Sequence, residues 1–161
     1  MGRISWDDYF LMISKVVASR NTCFSDPKGA VIVVNKNIAS TGYNGAPSGV
    51  PDCKYCLGEC YKRKLGFEHG TGQHVCRGAH AEANAIVQAA KNGTPIYGGT
   101  LYTTHKPCHD CAKLIINSGI KKIVYLHDYA GTDCLELFAA ARIRCTHNTS
   151  FNLEEMLKQI K

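Results

Sequence analysis

His80-Ala81-Glu82 and, well downstream, Pro107-Cys108-His109-Asp110-Cys111 constrain this chain more than any other feature. A histidine and two cysteines so far apart can serve one ion only if the fold brings two separate segments together. His80, Cys108 and Cys111 offer three of the four positions of a tetrahedral Zn²⁺ and leave the fourth for water, which is the arrangement of a catalytic rather than a closed structural site. Glu82 lies two residues from a ligand without being one, and an acid there can take a proton from an activated water and pass it on. A lone C-x-x-C would fit a redox pair or half of a zinc ribbon. The carboxylate beside an open coordination position is what a purely structural site has no use for.

The rest of the composition narrows the setting. A chain of 161 residues with 45% hydrophobic content can bury one core but not two, so a single domain spanning 1–161 is expected. No stretch approaches ~20 uninterrupted apolar residues and the N-terminus lacks the apolar core of a signal peptide, which predicts a cytoplasmic protein with no membrane partner. Nine cysteines, an odd number, with no export signal, point to reduced thiolates on zinc rather than disulfides. The net charge of +6 is spread thinly; Lys62-Arg63-Lys64 and Lys121-Lys122 are its only runs. That pattern reads as solvated surface or as attraction for a nucleotide phosphate, and not as a nucleic-acid arm.

Pattern and punctuation place the elements. Ser5 to Arg20 puts Trp6, Tyr9, Phe10, Ile13, Val16 and Val17 on one side of a helix that Ser5 and Asp8 cap. Ala30–Val34 and Ile38–Tyr43 around an Asn-rich turn read as a hairpin. Residues 44–75 read as mostly loop, too long to stand unaided in a compact domain. The run from Ala81 to Ala90 predicts a helix ending near Gly93; Thr100–Thr104 a strand; Cys108–Ser118 a helix stopped by Gly119; and Lys122–Leu126 a strand. A helix from Asp133 through Ala141, a strand over Ile143–Thr146 and a helix capped by Asn152 and running to Lys161 complete the chain. Alternating strands and helices imply a layered α/β domain whose central sheet is mixed, parallel where helices link its strands. Pro107 suits a first helical turn, and two helix starts aimed at one ion would help keep Cys108 and Cys111 deprotonated.

H-x-E joined to P-C-x-x-C is the signature of zinc nucleobase deaminases, whose water attacks the amidine-like carbon of cytosine or adenine. Beyond these motifs, Ser5-Trp6-Asp7-Asp8-Tyr9-Phe10, the loop Gly42-Tyr43-Asn44-Gly45-Ala46-Pro47-Ser48-Gly49, and the stretches 76–86 and 107–121 resemble the deoxycytidylate (dCMP) deaminases of bacteria and phages. The late-competence relatives are part of that group, and the likeness covers nearly the whole chain. It implies a cytidine deaminase-like fold and hydrolysis of dCMP to dUMP and ammonia for dTTP synthesis, in the host cytoplasm if the protein is phage-encoded. It also implies a homohexamer activated by dCTP and inhibited by dTTP, with Mg²⁺, at an effector loop of Gly45, Ala46, Pro47, Ser48 and Gly49. By the same likeness Asn44 bonds the deoxyribose, the backbone at Ala81 reads the pyrimidine carbonyl, and the backbone at Thr104 and His105 receives the amino group. An Asn-Gly pair after a strand is also an ordinary turn. Tyr129 is placed either to contact base or sugar or to pack in the core.

Cys23, Cys53, Cys56, Cys60, His74 and Cys76 remain once the first site is filled, most of them in the long loop, and a second, closed zinc site would hold that loop. The resemblance favours Cys23, Cys53, Cys60 and Cys76 as its ligands, with His74 or Cys56 as alternatives. Reduced thiols packed as small hydrophobes would also account for them. Cys134 and Cys145 fall in regular structure and are assigned to the core. Three other functions compete: a tRNA-type adenosine deaminase, a free cytidine or cytosine deaminase, and a zinc-stabilised binding module without turnover.

Overall fold

Two strands and a tight reversal begin the sheet. β1 (Gly29–Val34) and β2 (Asn37–Tyr43) are joined by Asn35 and Lys36, both left-handed at φ 49° and 64°, the geometry whose twist matches a hairpin. β3 (Thr100–His105), β4 (Lys122–His127) and β5 (Arg144–His147) complete five strands in the order β2-β1-β3-β4-β5. β1 is antiparallel to β2 and to β3, whereas β3, β4 and β5 run parallel. The sheet is therefore mixed, as expected, and its parallel half begins where helices first link the strands. The computed structural model describes residues 3–68, 71–128 and 134–159.

Alternation along the strands sorts the core into two layers. Ala30, Ile32, Leu101 and Ile123 point to the face covered by α3 (Ala81–Lys91), α4 (His109–Asn117) and α5 (Cys134–Ala140), which contribute Ala85, Ala112, Ile115 and Phe138. Val31, Val33, Tyr102, Val124 and Leu126 point the other way, onto Phe10 and Leu11 of α1 (Trp6–Ala18). Cys134 is fully buried and Cys145 packs against the first layer, so both belong to the core as assigned.

The helix at the start of the chain buries Phe10 and packs Ile13 and Val17 against the core as its pattern predicts, but it leaves the rest of that side exposed. Phe10, Leu11, Ser14 and Ala18 face inward, while Trp6, Tyr9 and Val16 are exposed. Gly29 gives the reason: a Cβ there would lie 2.1 Å from the Ser14 carbonyl and 2.6 Å from the Ala18 amide, so α1 sits backbone-close on β1 through its small residues. Ser5 caps the helix by accepting from the Asp8 amide at 3.1 Å, with its own hydroxyl given to the Asp8 carboxylate at 2.6 Å. Asp7 then ties the helix to the sheet, accepting from Tyr102 at 2.7 Å and from Lys122 at 2.8 and 2.9 Å.

Two further expectations need correction. The 44–75 segment is not mostly structureless: it holds a π-helical turn over Cys53–Leu57, a short α2 (Tyr61–Lys64) and a 3₁₀ turn over Gln73–Val75. Its glycines misled, because Gly58, Gly66 and Gly72 serve as left-handed stops and starts for these turns. The last helix, α6 (Leu153–Leu157), does take its cap from Asn152, at 3.2 Å from the Glu155 amide, but closes at Lys158 instead of running to Lys161. Asp133 and Lys161 lie outside the described residues.

Candidate metal centre and active-site cavity

His80 and Cys108 are the N-caps of α3 and α4, so each ligand stands where a helix presents unpaired amides and positive partial charge. Cys111 follows one turn into α4, and its amide donates to the Cys108 sulfur at 3.4 Å. Pro107 precedes the cap and is not in the first turn, because Cys108 itself takes the capping position. His80 Nδ1 lies 3.3 Å from Cys108 Sγ and 3.5 Å from Cys111 Sγ. Among the described residues this is the one group of histidine, cysteine or acidic side chains whose ligand atoms all lie within 4.8 Å of one another. One imidazole nitrogen and two sulfurs at that spacing form a borderline-soft donor set of the kind zinc takes. Cys108 is held as a thiolate, its pKa lowered to about 4, chiefly by the hydrogen bond from Cys111 and then by His80. Cys111, sharing its proton with that thiolate and buried, is pushed up.

Glu82 enters in the first turn of α3 and is 4% exposed. Burial raises its carboxyl, and its own amide, His80 and Thr103 partly offset that. An acid poised above the usual carboxylate range suits proton shuttling better than one left in water. Thr103 Oγ1 donates to Glu82 Oε1 at 3.0 Å, a partner that nothing in the sequence pattern announces.

A cavity of about 190 Å³ opens over these groups, lined by His80, Glu82 and Cys108 at one end. It lies at the carboxyl end of β3, where parallel sheets offer their loops to ligands. Lys28, Lys62, Arg63 and Lys106 bring positive charge to its walls, against the carboxylates of Asp26 and Glu68. Of the expected substrate contacts, Asn44 and His105 line it. Asn44 is buried and already at work within the chain: Oδ1 accepts from the Lys28 amide at 2.8 Å, and Nδ2 donates to Asp26 O at 3.2 Å and Ser25 Oγ at 3.4 Å. It is not a turn residue. Gly45 beyond it pairs with Ala79 in a two-residue bridge, at 3.2 and 2.8 Å, which seats the loop beside His80. Ala81 is fully buried and its carbonyl packs against Gly42. Thr104 Oγ1 accepts from the Gly29 amide at 3.2 Å and lies 3.0 Å from His105 Nδ1. Burial, then Lys28 and His127, lower His105 to about 4, so the ring is neutral near pH 7. Residues 45–49 do not line the cavity; Pro47, Ser48 and Gly49 are exposed. Tyr129 lies outside the described residues.

Cys23, Cys53, Cys60 and Cys76 line the same cavity. Burial, and then Cys76, Cys53 and Cys60 in turn, raise Cys23 to about 11, but these sulfurs are not gathered within 4.8 Å of one another as the His80 group is. Gly78 leaves room for two of them: a Cβ there would meet Cys23 Sγ at 2.6 Å and Cys76 Sγ at 3.8 Å. Cys56 is exposed and bonded to Asp52, and His74 stands edge-on to Phe67.

Three soft ligands at two helix starts, with a buried carboxylate beside them and a cavity above, make up the site of a metal-assisted hydrolytic enzyme. The profile of the cytidine and deoxycytidylate deaminase zinc-binding region matches residues 4–127, and the chain belongs to that family. It is 39% identical over 126 residues to the deoxycytidylate deaminase of Mycobacterium phage D29, covering 78% of this chain and 97% of that one. It is 37% identical to ComE operon protein 2 of Bacillus subtilis (strain 168), covering 100% of this chain and 79% of that one. The crystal structure of dCMP deaminase from the cyanophage S-TIM5 in complex with dCMP and dUMP superposes with a TM-score of 0.76 at 28% identity, over 92% of this chain and 100% of that one. The fold is accordingly cytidine deaminase-like. Among the described residues no helix is long and apolar enough to cross a membrane.

Proposed function

We propose that this chain, as one domain, hydrolyses dCMP to dUMP and ammonia. The observation that carries the reading is the buried Glu82 beside the His80, Cys108 and Cys111 donor set at the end of a cationic cavity. His80, Cys108 and Cys111 would hold zinc, which would supply Lewis acidity and make a water acidic enough to react. Glu82 takes a proton from that water and returns it to the pyrimidine, while the buried surroundings keep bulk solvent from competing. Lys28, Lys62, Arg63 and Lys106 favour a nucleotide phosphate over a free nucleoside, which sets dCMP above cytidine. Both Asn44 donors are spent on the chain, so a deoxyribose hydroxyl would donate to the second lone pair of Oδ1. The backbone near Ala81 is assigned to the pyrimidine carbonyl, the backbone near Thr104 and His105 to receiving the amino group, and Tyr129 is kept as a base or sugar contact.

A second, structural zinc on Cys23, Cys53, Cys60 and Cys76 belongs to the same proposal. All four line the cavity, which Cys56 and His74 do not, and the other three all act on Cys23, which supports this set over one using Cys56 or His74. The 45–49 loop, outside the cavity and exposed at Pro47, Ser48 and Gly49, is compatible with dCTP and dTTP acting there with Mg²⁺. Exposed Trp6, Tyr9 and Val16 give apolar surface that a homo-oligomer, a hexamer by family likeness, would cover. The cytoplasm, a host's if the protein is phage-encoded, is the assigned compartment.

The test is initial ammonia release from dCMP, CMP, deoxycytidine and dCTP in parallel, with and without trace dCTP. Preference for dCMP supports the reading, and no release from any of the four overturns it. Elemental analysis giving two zinc ions per chain supports the second site, and one refutes it.

A further inference from the structure

β3 departs from its own pattern at one position. Its residues facing α3 and α4 lie in an apolar layer with Ala30, Ile32, Ala85, Leu101 and Ile123, yet Thr103, 0% exposed, brings a hydroxyl into that layer. Valine would fill the same space. A buried hydroxyl without a partner is unfavourable, and Thr103 gives its proton to Glu82 Oε1 at 3.0 Å. Both backbone neighbours of Thr103 in the sheet, Ala30 and Tyr125, are set by strand register alone, so the hydroxyl contributes nothing to strand pairing.

Glu82 needs such a partner. It carries three rotatable side-chain bonds from the first turn of α3, and besides Thr103 it is its own amide that donates to it among the described residues. We propose that Thr103 is a positioning residue for Glu82: its hydroxyl anchors Oε1, so that Oε2 is the oxygen that takes and returns protons. The proposal rests on the deaminase reading above. In that reaction the water oxygen bonds to the ring carbon and the bond from that carbon to the amine breaks. One water proton ends on the ring nitrogen and the other on the departing amine, which leaves as ammonia. Each proton travels on Glu82, and each transfer depends on a carboxylate held within hydrogen-bonding reach. With Oε1 fixed by a donor that water cannot displace, both transfers use the same oxygen at the same place.

The experiment compares wild type with Thr103→Val and Thr103→Ser. In the isosteric valine variant, kcat for dCMP is expected to fall about tenfold, the size of one lost hydrogen bond to a charged group. KM, zinc content and Tm should stay at wild-type values, and serine should restore most of kcat. A valine variant with wild-type kcat overturns the proposal, as does a serine variant as slow as valine, since packing alone would then explain the loss. Crystals of Thr103→Val give a readout independent of turnover: the Glu82 carboxyl should rotate away from its wild-type orientation. If wild type releases no ammonia from dCMP, the deaminase reading fails, and the positioning role is then judged by that orientation alone, an unmoved carboxyl overturning it.

Discussion

Gly42→Ala should damage the active site through a helix it never touches by side chain. A Cβ at Gly42 would lie 2.2 Å from the Ala81 carbonyl, 2.3 Å from the Ala85 amide and 2.9 Å from the Asn84 carbonyl carbon, all backbone atoms of α3. Ordinary contact begins near 3.4 Å, so the first turn of α3 has to retreat by about an ångström, a displacement that can lower catalysis about 10²-fold when the moving groups are catalytic. That turn carries His80 as its cap and Glu82 inside it. Overpacking of this kind destabilises by about 1–3 kcal/mol, which at this chain length lowers Tm by roughly 3–10 °C. Gly29→Ala is the comparison. Its clash is as severe, at 2.1 and 2.6 Å from backbone atoms, but the helix that must move is α1, which bears neither His80 nor Glu82. The assay is kcat/KM for dCMP beside thermal unfolding for both variants. Matched losses of Tm with a far greater loss of kcat/KM in Gly42→Ala are expected. Wild-type kcat/KM in folded Gly42→Ala, or equal losses in the two, would refute the coupling of β2 packing to the catalytic turn.

Glu82→Gln keeps the three zinc ligands and removes the proton carrier, so turnover should fall by about 10²–10⁴-fold with zinc content unchanged by elemental analysis. His105, lowered to about 4 from a usual 6.5 by burial and by Lys28 and His127, favours the fold in its neutral form. Its contribution is full above 6.5 and is lost as pH falls toward 4, so His105→Gln should lose less stability than wild type between pH 7 and 5 in denaturant titrations. Asp7→Asn weakens three charge-assisted hydrogen bonds from Tyr102 and Lys122 at a half-exposed junction; a destabilisation of about 1 kcal/mol in urea unfolding is expected. No loss of stability in that variant would show the tether to be incidental.

The parts that could be read from the chain were those fixed by local chemistry. Zinc-ligand spacing, helix punctuation and strand alternation brought His80, Cys108 and Cys111 together on paper, and they meet in space. The hairpin, the parallel half of the sheet and the buried Cys134 followed from the same rules. What failed depended on close approach between elements. Of the large residues that marked the inner side of α1, Trp6, Tyr9 and Val16 are exposed, because Gly29 admits backbone and not side chains at that contact. Asn44 looked like a turn residue, and it braces residues 25–28 through bonds to a segment well before it in sequence. Thr103 gave no signal at all, since a threonine inside a strand is an ordinary β former and only the fold reveals which acid it meets.

The Gly45–Ala79 bridge has a consequence for how such a protein can vary. The excursion between those two residues closes at this bridge, with His80 directly after it, and is tied back again where the Lys54 amide donates to the Thr22 carbonyl at 3.2 Å. The excursion furnishes Cys53, Lys62, Arg63 and Cys76 to the cavity, while His80, Glu82, Cys108 and Cys111 all come later. The chain thus carries a cassette: descendants can lengthen or trim it, and so retune what enters, while the machinery that breaks the carbon–nitrogen bond is inherited intact.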